Sequence, residues 1–309
     1  MDPVSSPSST PSPPFYVFIV SSLDHPVYRE IQVKRKKLLA HYRIPYTVLI
    51  NEDESPVQDR SVPTLLPMND DEVLFPRSGM NPYMTQKFLT AVKMYFRSFP
   101  SWESVPPYIL RINATVYIHW PTFTTHVLSR LPRERVMAGP CYTEDCLPFM
   151  NGMVLVFSKD VLRKILADPR IYSKDIMGEN DDVALTRLAG PHASLLTLMD
   201  HFVYPDETTT SPDGMFLLPP RNPKACLFRI AHKSATREID PRNWDHLLSF
   251  YGEDSIVVST TEPYVSTTRF RWGILVLIVV LLILLLVFIC LYVYKSNIKE
   301  INQSSRSMK

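Results

Sequence analysis

The stretch that decides the fold is residues 108–120, which read YILRINATVYIHW. It follows a Pro-Pro pair and begins with apolar residues. It then passes through the polar positions Arg111, Asn113 and Thr115 and returns to β-branched and aromatic residues. This pattern predicts a buried strand that ends in a polar turn, followed by a second short strand. Because ligands of open α/β sheets bind where strands end, these three polar residues are the first candidates for a site.

Upstream, the chain alternates strand and helix patterns. Residues 15–20 are apolar and end at Ser21, and residues 46–50 form a second apolar run. Between them, residues 27–42 have helical spacing of apolar residues. The four basic residues 34–37 in this helix are expected to face solvent. The order strand, helix, strand is the signature of a parallel sheet.

The same patterns continue to about residue 251. Residues 51–76 are rich in proline and acidic residues and predict a loop. Further helices are predicted at residues 82–99, 123–131, 158–166, 178–190 and 241–251, and further strands at 136–140 and 152–157. The chain contains no internal repeat. These elements predict an α/β domain over residues 15–251.

Composition excludes several classes of protein. The chain has 309 residues and a formal net charge of +2, so nothing indicates nucleic-acid binding. Four cysteines are too few for a disulfide scaffold. Cys141 and Cys146 are close enough in sequence to form a bridge, but we expect free thiols in a reducing compartment.

An apolar run at residues 273–294 predicts one C-terminal transmembrane helix, since it carries no charge and is long enough to cross a bilayer. Residues 1–14 are predicted to be a disordered Pro/Ser leader, residues 252–272 a polar stalk, and residues 295–309 a short basic tail. Because no signal peptide precedes the domain, we expect a tail anchor with the large domain in the cytosol. The basic residues after the span favour the opposite, lumenal orientation.

Three stretches resemble β-1,3-galactosyltransferase-like enzymes and, more closely, glycosyltransferases of large DNA viruses. They are RINATVY at 111–117, FMNGMVLVFSKDV at 149–161 and ENDDVAL at 179–185. The order and spacing of these motifs, over about residues 15–250, carry the resemblance. It implies a GT-A (Rossmann-like) mixed sheet flanked by helices. It also implies transfer of a sugar from a nucleotide-sugar donor to a glycan hydroxyl.

The resemblance also implies roles for individual residues. Asp182 stands where the family has its general base, and Asp181 stands where the family has a glutamate. The residues implied for donor binding are Arg111, Asn113, Thr115, Ser21, Lys87, Gly152 and His232.

Each of these residues also has a simpler interpretation. Asp182 lies at the start of a predicted helix, where acidic side chains are favoured whatever the function. Arg111 on an apolar strand needs a partner, which is either a carboxylate or a ligand phosphate. Asn113 fits a turn residue that hydrogen-bonds the backbone, and Gly152 fits a close approach of strands. His232 fits a surface histidine.

The family holds a divalent metal, Mn²⁺ or Mg²⁺, through an Asp-x-Asp motif, and here that position reads Asn113-Ala114-Thr115. Asn and Thr are poor ligands for these ions. Three explanations stay open: Arg111 or another cation replaces the metal, the metal is held elsewhere, or activity is lost. A carboxylate cluster of Glu179, Asp181 and Asp182 is one alternative place for a metal.

Two functions therefore follow from the sequence. The first is a membrane-anchored glycosyltransferase of glycan biosynthesis, attached to the lipid bilayer through residues 273–294. The second is a catalytically inactive GT-A-derived protein that binds a glycan or acts as a membrane-tethered interaction module. A purely structural membrane protein would require the resemblance to be accidental.

Overall fold

The fold is known from a computed structural model that describes residues 14–21, 26–51, 66–69, 72–75, 83–141, 149–177, 179–206, 208–230, 237 and 239–258. The chain divides into two compact units, residues 1–261 and 262–309. All described residues lie in the first unit.

Strands and helices alternate through the described residues. The strands are β1 Phe15–Val20, β2 Tyr46–Asn51, β3 Leu66–Asn69, β4 Glu72–Phe75, β5 Tyr108–Asn113, β6 Val116–Ile118, β7 Val136–Gly139, β8 Val154–Ser158, β9 Ser194–Thr197, β10 Phe202–Val203 and β11 Leu227–Arg229. The α-helices are α1 Pro26–His41, α2 Tyr83–Arg97, α3 Trp120–Thr122, α4 Lys159–Ala167, α5 Lys174–Met177, α6 Asp181–Ala189, α7 Ile239–Phe250 and α8 Asp254–Val258.

The main sheet is mixed, with the strand order β3-β4-β2-β1-β5-β8-β7-β9. β1 pairs in parallel with β2 on one side and with β5 on the other, and β8 runs antiparallel to β5. A small second sheet has the order β10-β11-β6. The predicted mixed α/β sheet flanked by helices is confirmed for the described residues.

Alternate residues of β1 point to opposite faces of the main sheet, and they are apolar on both faces. Helices therefore cover both faces. Val17 and Ile19 pack in one core cluster with Leu39 of α1. Phe18 and Val20 pack in another cluster with residues of α2, α4 and α6. The connections to the two neighbours of β1 therefore leave on opposite faces. In open α/β sheets this arrangement forms a ligand-binding crevice, here at the carboxyl ends of β1 and β5.

Residues 108–120 behave as predicted. The strand β5 is followed by a turn at Ala114 and Thr115 and then by β6. β6 leaves the main sheet and pairs antiparallel with β11, which puts Arg229 opposite Val116. This single stretch therefore joins the two sheets at the crevice.

Two predicted loops contain regular structure. Residues 51–76 hold β3 and β4, because β4 extends the sheet in parallel beside β2 and β3 folds back against β4. The first part of the predicted stalk, Asp254–Val258, is the helix α8. In these segments tertiary pairing overrides a composition that favours loops.

Two expectations about individual side chains are wrong. Arg35 does not face solvent: it is 2% exposed, because α1 is covered by the sheet and also by α7. Cys141 is not a free thiol but is disulfide-bonded, with a partner outside the described residues. Cys226 is free and buried.

A buried carboxylate, Glu253, ties the end of the domain to the small sheet. Its oxygens accept hydrogen bonds from the hydroxyls of Tyr42, at 2.6 Å, and of Tyr117 in β6. His119 lies 3.9 Å from the same carboxylate and stacks on Tyr251. Burial lowers the pKa of His119 to about 4, so this ring is neutral at neutral pH.

The apolar run at residues 273–294 lies outside the described residues. Among the helices that the structure describes, none has the length and apolar character needed to cross a bilayer. Membrane attachment through this run stays a prediction.

Candidate functional site

The crevice at the ends of β1 and β5 brings together most of the predicted site residues. Ser21 follows β1 directly and is buried. Val20 is paired with Asn113, and the carbonyl of Val20 accepts a hydrogen bond from the Ala114 N–H at 3.0 Å. The amino ends of β8 and α6 complete the site, since Gly152 precedes β8 and Asp181 begins α6.

Arg111 is held inside this site by Asp181. Its side chain is 2% exposed and its Nη2 donates to Asp181 Oδ2. Of the two partners considered for Arg111, a carboxylate or a ligand phosphate, the carboxylate is therefore confirmed as the partner of Nη2. The other two guanidinium nitrogens, Nε and Nη1, are buried and make no hydrogen bond to any residue that the structure describes. Unused guanidinium donors suit an acceptor with several oxygens, such as a phosphate.

Asp182 is a half-buried carboxylate beside this ion pair. Its oxygens accept hydrogen bonds from the N–H groups of Val183, at 2.9 Å, and of Gly152, at 3.4 Å. It is not the N-cap of α6, which is Asn180. Burial raises the pKa of Asp182, and the charge of Asp181 raises it further, against the lowering effect of the two N–H groups and Arg111. A carboxylate in this state is a stronger base than an exposed one.

Lys87 adds a second buried cation to the crevice. It lies in α2, is 1% exposed, and its Nζ is 3.4 Å from the carbonyl oxygen of Ser21. The crevice therefore contains two cationic side chains, Lys87 and Arg111, on the side of the sheet that α2 and α6 cover. Cationic donors of this kind can bind phosphate oxygens, and Arg111 can do so while it is paired with Asp181 because only its Nη2 contacts that carboxylate.

The polar turn itself is closed by Asn113, as its turn interpretation predicts. The Oδ1 of Asn113 accepts a hydrogen bond from the Thr115 N–H at 3.3 Å. The carbonyl of Thr115 accepts from the N–H of Ile230 at 2.9 Å, which fixes the turn against the strand β11. Asn113 and Thr115 are thus in the crevice, but part of their hydrogen-bonding capacity is used by the backbone.

These residues do not fit a divalent metal. The side-chain oxygen of Asn113 is used in the turn, and Asp181 is paired with Arg111. Glu179 is paired with Arg187 and does not complete a carboxylate cluster. Nowhere in the described ranges do three His, Cys, Asp or Glu side chains come together as metal ligands. His232 lies outside the described residues, and its role in donor binding stays a prediction.

One residue of this region was missed by the sequence patterns. Arg35 of α1 donates from Nη2 to the carbonyl oxygens of Ala114, at 2.7 Å, and Val116, at 3.0 Å. It therefore holds the polar turn from the opposite face of the sheet. The one sign in the sequence was that Arg35 lies in a helix between two predicted strands. Its place in a run of four basic residues, however, favours a solvent-facing side chain.

Gly152 provides the first testable prediction. A Cβ at this position would lie 3.0 Å from the Cβ of Asp182 and 3.1 Å from Nη1 of Arg111. We expect Gly152→Ala to push these side chains apart and to lower the free energy of unfolding by about 1–3 kcal/mol. Chemical denaturation measures this change. The matched control is Gly190→Ala, where the nearest atom is 3.4 Å away and a change below about 0.5 kcal/mol is expected. Equal stability of the two variants would contradict the close approach.

No protein-family model and no curated protein matches the sequence. Several solved structures are similar in fold. A glycosyltransferase involved in the glycosylation of the major capsid of PBCV-1 has a TM-score of 0.45 at 10% identity, over 74% of this chain and 98% of its own. The apo form of the glycosyltransferase GlyE of Streptococcus pneumoniae TIGR4 has a TM-score of 0.39 at 13% identity, over 78% of this chain and 64% of its own. The catalytic domain of Drosophila β1,4-galactosyltransferase 7, in complex with xylobiose, has a TM-score of 0.32 at 10% identity, over 59% and 63%. All three of these similar structures are glycosyltransferases.

Proposed function

We propose that this protein is a glycosyltransferase that moves a sugar from a nucleotide-sugar donor to a hydroxyl group of a glycan. The observation that carries the proposal is the position of Asp182. This carboxylate has a raised pKa and accepts from the N–H of Gly152, which also lies against Arg111, an arginine whose Nε and Nη1 bond no described residue. It does so at the edge of the sheet where α/β folds bind their ligands.

The proposed chemistry assigns each side chain one task. Asp182 accepts the proton of the acceptor hydroxyl, whose oxygen then bonds to the anomeric carbon of the donor sugar. The bond from that carbon to the nucleoside diphosphate breaks, and the diphosphate leaves with the electron pair. Arg111 and Lys87 stabilise the negative charge that develops on the leaving group. Asp181 holds Arg111 in place for this purpose.

We further propose that transfer needs no divalent metal. The leaving group requires positive charge, and the crevice provides it as Arg111 and Lys87 in place of the Asp-x-Asp motif. A guanidinium presents several donors in a fixed plane and matches phosphate oxygens.

The test is a transfer and donor-hydrolysis screen of the full-length chain with UDP- and GDP-sugars, with Mn²⁺ and with EDTA. We expect turnover of at least one donor, retained in EDTA. Turnover that stops in EDTA and returns with Mn²⁺ would refute metal independence. Binding of a nucleotide-sugar without any turnover would favour the inactive, ligand-binding alternative, and neither binding nor turnover would refute the proposal altogether.

The membrane location is also part of the proposal. We infer that residues 273–294 anchor the protein in a bilayer. The sequence expectation places the domain in the cytosol. The disulfide of Cys141 and the basic residues after the span favour an oxidising, lumenal side instead. Protease protection of the domain in intact microsomes decides between them, because only a lumenal domain survives digestion.

The raised pKa of Asp182 predicts the pH dependence of transfer. Asp182 acts as a base only when ionised, so the rate should fall as the pH falls through its pKa, which lies above that of an ordinary aspartate. Asp181→Asn removes a neighbouring negative charge and leaves the charge of Arg111 uncompensated. Each change lowers the pKa of Asp182, so this variant should shift the acid limb of the pH–rate profile to lower pH. A shift to higher pH, or none, would contradict Asp182 as the base.

A further inference from the structure

Arg35 is the most deeply buried cation that the structure describes on the α1 face of the sheet. Its Nη1 donates to Gln32 Oε1 at 3.1 Å, and its Nη2 makes the two bonds to the carbonyls of Ala114 and Val116. Its guanidinium lies over the ring of Trp244, with Cζ 4.8 Å from the ring centroid. The Arg35 side chain is thus held by Gln32, by the two backbone carbonyls and by the ring of Trp244.

No carboxylate among the described residues neutralises the charge of Arg35. Among the residues that the structure describes, its polar contacts are an amide oxygen and two carbonyl oxygens. Burial lowers the pKa of Arg35 to about 9, so the side chain is still a cation at neutral pH. An uncompensated buried cation is costly to keep in a fold. Carbonyl dipoles and the Trp244 ring offset only part of this cost.

This charge is directly behind the polar turn. The two carbonyls that Arg35 holds flank Thr115, and the turn joins β5 to β6 at the mouth of the crevice. On the other face of the sheet, Arg111 is paired with the carboxylate of Asp181. Arg35 has no carboxylate partner among the described residues, so its charge would favour an anion bound at the turn.

We propose that Arg35 is a positioning residue of the ligand site, which fixes the turn at residues 114–116 and whose buried charge favours the diphosphate group of a bound nucleotide. This inference rests on the proposed function for the identity of the ligand. It assigns Arg35 no contact with the ligand. It makes binding of the phosphates, but not of the nucleoside, dependent on the charge at position 35.

The experiment separates the charge of Arg35 from its hydrogen bonds. Arg35→Lys keeps the charge, whereas Arg35→Gln keeps an amide donor for the carbonyls and removes the charge. The affinities of each full-length variant for UDP, GDP, uridine, guanosine and inorganic pyrophosphate are measured by calorimetry, after thermal unfolding has shown that it folds. The control is Lys34→Met, which removes a neighbouring charge that is paired on the surface with Glu30 and Asp245.

We expect Arg35→Gln to weaken diphosphate binding by about tenfold or more and nucleoside binding by less than about twofold. Arg35→Lys should retain most of the affinity for the diphosphate, and Lys34→Met should change neither. Equal loss of nucleoside and diphosphate, or a weaker Lys variant than Gln variant, would overturn the inference. If Arg35→Gln does not fold, the Lys variant decides: a loss of diphosphate affinity as large as tenfold would overturn it.

The same measurements separate this inference from the proposed function. If the wild type binds a nucleoside diphosphate in an Arg35-dependent way but transfers no sugar, the inference stands and the proposed activity fails. If it transfers sugar and the Arg35→Gln variant binds the diphosphate normally, the activity stands and the inference fails. A wild type that binds none of the five probes overturns both.

Discussion

Asp182→Asn should reduce sugar transfer by about 10³-fold while the fold stays intact. The substitution keeps the shape of the side chain and one oxygen, which can still accept from the Val183 N–H, as Oδ1 of Asp182 does at 2.9 Å. It removes the ability to take a proton and the weaker acceptor at 3.4 Å from the Gly152 N–H. The loss should therefore appear in the turnover number, with donor affinity and the unfolding midpoint close to those of the wild type. Steady-state kinetics and thermal unfolding measure the two effects.

The matched control for Asp182→Asn is Glu179→Gln. Glu179 is a carboxylate three residues away, but its partner is the half-exposed Arg187. Surface ion pairs contribute little, so this variant should transfer sugar at nearly the wild-type rate. If Asp182→Asn kept full activity, Asp182 would not be the base. Equal losses in both variants would indicate a general need for negative charge near α6.

Arg111→Met should have the second large effect, on both stability and activity. Arg111 is almost completely buried, and its removal leaves Asp181 without its cationic partner. Breaking a buried pair from one side costs about 3–5 kcal/mol in the free energy of unfolding. Loss of a charge that stabilises the leaving group should lower kcat/KM by about 10²-fold or more. Denaturant unfolding and kinetics on the same preparations test both.

A double variant distinguishes the two roles of Arg111. Arg111→Met with Asp181→Asn removes both charges, so stability should partly recover relative to Arg111→Met alone. Activity should not recover, because the cation is still absent. If stability and activity recovered together, Arg111 would act only through the fold. The surface pair of Glu179 and Arg187 provides a comparison, since its removal should change stability by less than about 1 kcal/mol.

The central part of the site could be predicted because its signal is local. In residues 108–120 the change from apolar to polar and back marks the end of one strand and the start of another, and the structure confirms both. The acidic start of α6 is equally local. Polar side chains collect at the ends of strands and helices. A sequence pattern that marks such an end therefore also marks a candidate site.

Other features could not be predicted, because they depend on distant parts of the chain. Arg35 belongs to a run of four basic residues that is typical of a solvated helix face, and only packing against Trp244 of α7 reveals that it is buried. The strands β3 and β4 have a loop-like composition and gain their structure by pairing beside β2. Arg111 and Asp181 belong to two separate sequence motifs, and no spacing of residues in the sequence predicts that they contact each other.

The carboxylate of Glu253 has a mechanical consequence. It joins the segment between α7 and α8 to Tyr42 after α1 and to Tyr117 in β6, and Lys37 of α1 bonds the carbonyl of Val257 at 2.7 Å. A force applied to the chain after residue 258 would load the Lys37 bond first and then the two tyrosine hydroxyls. These three bonds therefore anchor the last described helix to α1 and to β6, the strand that follows the polar turn.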